Sequence, residues 1–171
     1  VSHIAQIEIE VKDLQCLVRA AQALGLEYAP DQTTYRWYGR LVGHGHVFPQ
    51  GFTREDAGQC DSGVLRLARD REVPHDAQFY NPATGEWTAQ GMQDLPYEIG
   101  VCRRRDGVDG YLLQWDAWGG GFGLAEKIGH DAGLLMQQYA KEVVLQEALA
   151  QGLNVQEVQT LANGDLELVL G

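Results

Sequence analysis

Residues Tyr97 to Ala117 constrain the fold of this 171-residue chain more than any other stretch. Tyr97, Ile99 and Val101 alternate with Glu98, Gly100 and Cys102; after Asp106-Gly107 and Asp109-Gly110, Tyr111, Leu113, Trp115 and Ala117 alternate again. A period of two puts each apolar set on one face, and the Asp-Gly steps suit a tight reversal, so the segment predicts a β-hairpin. Its apolar face needs a covering layer. The following segment offers one, with Leu124, Ile128, Leu135, Tyr139, Val143, Leu149 and Leu153 near helical spacing. This predicts a second helix within Phe122 to Gln151, weakened near its start by Gly129 and Gly133.

The rest of the chain supplies matching pieces. Ile7, Ile9 and Val11 alternate with polar residues and predict a first strand, and Leu14, Leu17, Val18, Ala21 and Leu24 predict helix one over Asp13 to Leu24, stopped by Gly25. Tyr35 to Tyr38 and Val64 to Leu67 are rich in strand formers. Val155 and Val158, then Asn163-Gly164, then Leu166, Leu168 and Leu170 predict a closing hairpin. The fold class expected is α+β: a two-layer sandwich, a mostly antiparallel sheet with two helices on one face. Residues 1–171 read as a single domain with a loop-rich insertion at 39–95, where Gly, Pro, His and Asp show no sustained period.

Thirteen basic residues against 24 acidic ones give a net charge of −11, which speaks against non-specific nucleic-acid binding and anionic membranes. The charge is uneven. Asp70 to Leu95 carries −4 and Phe122 to Gly171 carries −5, whereas Pro96 to Gly121 is nearly neutral and holds Arg103, Arg104 and Arg105. Cys16, Cys60 and Cys102 are odd in number and form no CxxC pair, so a reducing cytoplasm is the expected compartment. No apolar run is long enough to span a membrane, and no secretory leader is evident at the N-terminus.

Several short motifs occur in a recognisable order. These are Ser2-His3, Asp13-Leu14, Leu24-Gly25-Leu26, Tyr97-Glu98-Ile99-Gly100, Trp115-Asp116-Ala117-Trp118-Gly119, Gln138-Tyr139-Ala140 and the stretch from Gln151-Gly152-Leu153 to Leu170. In this order the chain resembles a family catalogued as a domain of unknown function, the hypothetical chloroplast reading frame proteins, which also occurs in cyanobacteria, other bacteria and phages. The resemblance covers the two ends, and the extended middle region looks like that of the phage-type members. It implies the α+β fold and no established activity.

Four groups of residues are candidates for function. At the first, Trp118 and Gly119-Gly120-Gly121 precede the predicted helix, whose N-terminal N–H groups could hold the phosphate of a nucleotide-like ligand while Trp118 stacks on its ring. The plainer reading is a core Trp115 followed by a sharp turn. At the second, strand parity sends Glu98, Gln114, Asp116 and Trp118 to the face opposite the core, an open sheet face that could bind a small ligand. Glu98 and Asp116 could also serve a hydrolase as acid and base, and an ordinary solvated face is the bland alternative. At the third, His44, His46, Cys60, Asp61 and His75 include donors suited to a zinc-stabilised module, but only one close ligand pair is present. At the fourth, Arg103 and Arg104 could bind phosphate if folding set them beside Gly119 to Gly121. His130 and Tyr139 fit core packing.

No cofactor is expected and no catalytic constellation stands out. The leading expectation is a non-enzymatic binding or adaptor protein for a small phosphate-bearing ligand or a host protein, with ligand-binding residues Glu98, Arg103, Gln114, Asp116, Trp118, Gly119, Gly120 and Gly121.

Overall fold

The computed structural model describes residues 4–37, 47–67, 80–81, 86–87 and 96–171. Strand β1 (Ile4–Val11), helix α1 (Leu14–Ala23), β2 (Leu26–Ala29) and β3 (Val64–Leu67) form the first half, with two short strands, β4 (Tyr80–Asn81) and β5 (Glu86–Trp87), paired with each other. Then come β6 (Ile99–Arg103), β7 (Tyr111–Asp116), the short helix α2 (Leu124–Ile128), the long helix α3 (Gly133–Ala150), β8 (Val155–Thr160) and β9 (Leu166–Leu170).

Five strands make one antiparallel sheet in the order β1-β7-β6-β3-β2. The predicted hairpin is its centre, with Val101 opposite Leu113 and Arg103 opposite Tyr111. Tyr97, Ile99, Val101, Leu113 and Trp115 are buried on one face, where they meet Cys16, Leu17, Ala20 and Ala21 of α1 and Leu135, Met136 and Tyr139 of α3. The α+β class and the apolar parity are therefore as the alternation indicates.

Helix α1 starts where the sequence places it. The Asp13 carboxylate accepts the Cys16 N–H at 3.0 Å, an N-cap of the kind worth about 1 kcal/mol. Its second oxygen accepts from Gln146 Nε2 at 2.8 Å, and Tyr139 Oη accepts the N–H groups of Lys12 (3.0 Å) and Asp13 (3.2 Å). The two helices are thus tied together at the turn that follows β1.

Four expectations need correction. The predicted second helix is two helices. At Gly129 (φ 82°), Asp131 (φ 50°) and Ala132 (φ 58°) the backbone turns left-handed, which ends one helical ladder before α3 begins at Gly133. Tyr35 to Trp37 form no strand; Thr34 alone makes a bridge, to Gln59, through the Tyr35 N–H on Gly58 O and the Cys60 N–H on Thr33 O, and the next residue's N–H, that of Arg36, goes to the Glu98 side chain instead of a strand partner. The C-terminal hairpin does not join the main sheet but forms a sheet of its own, closed by a three-residue loop, Ala162 to Gly164, with Gly164 at φ 88°. His130 is almost fully exposed beside Asp131 rather than packed in the core. Among the described residues no helix is long and apolar enough to cross a membrane.

Candidate functional site

Strand parity places Glu98, Gln114 and Asp116 on the sheet face away from the helices, as expected. That face is not open. Glu98 is 1% exposed, Gln114 2% and Asp116 0%. Their cover includes residues 30–37, held by the Tyr35 N–H on Gly58 O at 3.0 Å and the Cys60 N–H on Thr33 O at 2.9 Å.

The cover is fastened to the sheet through its polar side chains. One oxygen of Glu98 accepts the Arg36 N–H at 2.8 Å and Gln32 Nε2 at 3.1 Å, while the Glu98 N–H donates to Arg36 O at 3.0 Å. Gln32 also donates to Thr34 O at 2.7 Å and accepts from Arg66 Nη1 at 2.7 Å; Arg66 in turn pairs with Glu27 at 2.6 Å. Tyr35 Oη donates to Gln114 Oε1 at 3.3 Å, and its ring lies where a side chain on Gly100 would stand. Arg36 Nη1 reaches Pro96 O at 3.1 Å, which brings a guanidinium to the end of the hairpin that carries Glu98 and Asp116. Burial lifts the Tyr35 phenol far above its ordinary range, so it stays a donor at any physiological pH.

The residues that read as an exposed recognition face are therefore a buried polar layer. A shallow opening of about 230 Å³ beside it is lined by Ala29, Pro30, Asp31, Gln32 and Arg66. Arg36, Gln32 and Tyr35, which complete the layer, are not marked by the sequence. Tyr35 and Arg36 sit in a run of strand formers, and nothing local shows that their partners lie some sixty residues or more away.

At the edge of this layer lies the glycine turn. Gly119, Gly120, Gly121, Phe122 and Gly123 all have positive φ, five successive left-handed residues. Four of them are glycines, for which that conformation carries no Cβ clash. Phe122, at φ 51°, is the exception, and its ring packs edge-on to Tyr97 with centroids 5.0 Å apart. The Tyr97 N–H donates to Gly121 O at 2.9 Å, which fixes the turn to the start of β6. Gly119 is exposed and Gly120 half-buried. The backbone of Trp118 opens the turn, and its side chain lies outside the described residues.

The helix after the turn gives no anion pocket of the expected kind, since α2 has only five residues and follows a left-handed reversal. Arg103 does not reach the turn either. It pairs with Tyr111, at the opposite end of β7, five residue steps or about 17 Å from Asp116. There the Arg103 N–H donates to Asp61 Oδ1 at 2.8 Å and its guanidinium lies over the Tyr111 ring. Arg104 pairs with Asp106.

Of the zinc candidates, His44, His46 and His75 lie outside the described residues. Cys60 donates through sulfur to Gln32 O and Asp61 is used by Arg103, and the described residues contain no group of three or more His, Cys, Asp or Glu able to hold a metal ion. Burial pushes the Cys60 thiol up to about 12 and the Cys102 thiol to about 11, so neither is a ready thiolate.

No family model, curated protein or solved structure matches this chain.

Proposed function

We propose that this is a non-enzymatic binding protein whose recognition site is the rim formed by Pro96, Ala117 and the Trp118 to Gly121 turn, above the layer of Arg36, Glu98, Gln114 and Asp116. The observation that carries the reading is Phe122 held left-handed at the end of four residues that include three successive left-handed glycines. Such a backbone costs on the order of 1–3 kcal/mol at a non-glycine residue and is found disproportionately at ligand clamps. Here it sets an exposed backbone edge beside buried charge.

The ligand class is a small ring-bearing, nucleotide-like molecule, gripped by ring stacking at Trp118 and by main-chain groups of the turn. An arginine clamp on its phosphate forms no part of the reading, because Arg103 and Arg104 are engaged at the far end of the hairpin. Glu98, Gln114 and Asp116 act from beneath by fixing the rim. The free thiols Cys16, Cys60 and Cys102 are consistent with work in a reducing cytoplasm.

A thermal-shift and native-mass series against linear and cyclic nucleotides tests this. At least one of them should raise Tm and add its mass to the native protein, and Trp118→Ala should abolish that shift while leaving the unliganded Tm within a few degrees. No shift with any nucleotide removes the ligand class, and a shift that survives Trp118→Ala removes the site.

A further inference from the structure

The C-terminal hairpin stands as a two-stranded sheet, and β8 is the strand that lies against α3. Two-stranded sheets are marginal in water, so an unpaired outer strand with apolar residues needs an explanation. Strand β9 reads Leu166-Glu167-Leu168-Val169-Leu170, and Leu170 is 52% exposed.

The direction of its backbone groups follows from one hydrogen bond. The Leu161 N–H donates to Asp165 O at 2.8 Å, which makes Leu161 and Asp165 a hydrogen-bonded antiparallel pair. Such pairs alternate with non-bonded ones. Stepping along the register, Gln159–Glu167 and Glu157–Val169 are bonded pairs, and Thr160–Leu166 and Val158–Leu168 are not. The N–H and C=O groups of Leu166, Leu168 and Leu170 therefore point away from β8, along an edge that no strand among the described residues occupies.

That edge is self-complementary. Two copies of β9 laid antiparallel about Leu168 set Leu166 opposite Leu170, Leu168 opposite Leu168, and Glu167 opposite Val169, so no like charges meet across the seam. Leu168 and its copy, and each Leu166 with Leu170, then form hydrogen-bonded pairs with the groups that point outward. On one face Val158, Leu166, Leu168 and Leu170 of both copies join into a continuous apolar strip. On the other, each Glu167 lies between Gln159 of its own hairpin and Val169 of the copy.

We propose that the outer edge of β9 is an interface for a second copy of this chain, which pairs with it antiparallel about a two-fold axis at Leu168 to make a four-stranded sheet. The fit of charge and side chain across this register selects a second copy over an unrelated strand. The inference stands apart from the ligand site.

Sedimentation equilibrium of the full chain from micromolar to millimolar concentrations tests it, with two charge variants. Val169→Lys places a lysine opposite Glu167 of the copy and also opposite Glu157 of its own hairpin, so it should tighten the dimer with the hairpin intact. Adding Glu167→Lys to that variant leaves the first lysine paired with Glu157 but sets lysine against lysine across the seam, twice per dimer, and should weaken association on the order of tenfold or more relative to Val169→Lys alone. A third variant, Leu168→Pro, removes an outward N–H that the hairpin itself does not use and should give a monomer whose β8–β9 amide signals persist. A wild-type chain that stays monomeric throughout overturns the proposal. So does a dimer whose strength ignores both charge variants, because the copies then meet elsewhere.

Discussion

Gly100 shows how much a single residue decides in this protein. The Tyr35 ring occupies the space above it, and a methyl group there would overlap the ring. Gly100→Ala must displace Tyr35 and with it the bond to Gln114, and is expected to lower stability by about 1–3 kcal/mol in urea unfolding. Nothing at Gly100 announces this need, since a glycine in a strand pattern is equally compatible with a bulge. Glu98 is similar. Its parity was legible, but its burial was not, because the Arg36 N–H and Gln32 side chain that satisfy it come from a segment without periodicity. Polar residues on a strand's second face look solvated until a distant loop is known to cover them.

At the scale of elements, α1 was readable almost to the residue because its start and stop are local chemistry: an aspartate cap and a glycine at φ 85°. The cap has a pH signature. The Cys16 N–H foremost, with help from Gln146, holds the Asp13 carboxyl below its ordinary value against an opposing effect of burial. A carboxyl depressed in the folded state contributes stability above its unfolded pKa, and that stability is lost as pH falls through the folded value. Asp13→Asn keeps a good capping oxygen but removes the titration. The variant should therefore be less stable than wild type near neutrality, where it gives up the carboxylate and the oxygen that accepts from Gln146, and should lose less Tm than wild type between about pH 6 and about pH 3. The long second helix was less legible. Helical spacing continues across Gly129 to Ala132, and although Gly129 and Asp131 suit a turn, the left-handed turn that divides the helix also takes in Ala132, a helix former without a turn signal of its own. The missed strand β2 is four residues long, too short for alternation to identify.

Across the whole molecule, the sheet has different covers on its two faces, helices on one and irregular backbone fixed by buried polar groups on the other. The cysteines report on both. Cys16 lies in the helix-side core, and Cys102 lies under the cover, where its sulfur donates to Gln59 O. At about pH 8 the raised thiols of Cys60 and Cys102 should be alkylated about a hundredfold or more slowly than in the unfolded chain, with full reactivity returning in urea. Rapid labelling of Cys102 in the folded protein would show that the cover opens readily.

The same sheet dictates the order in which a growing chain can assemble. Strands β1 and β2 are its two edges, run in the same direction, and are joined by α1, so the first thirty residues complete helix and edges but no β pairing between them. The partner of β1 is β7, about a hundred residues later, and β2 waits for β3. Helix α1 can form early from its own cap, yet its apolar face has no sheet to rest on until Tyr111–Asp116 has left the ribosome. Closure of so distant a contact makes folding slow relative to helical proteins of this size, and leaves β1 as the segment most exposed to mispairing while synthesis continues.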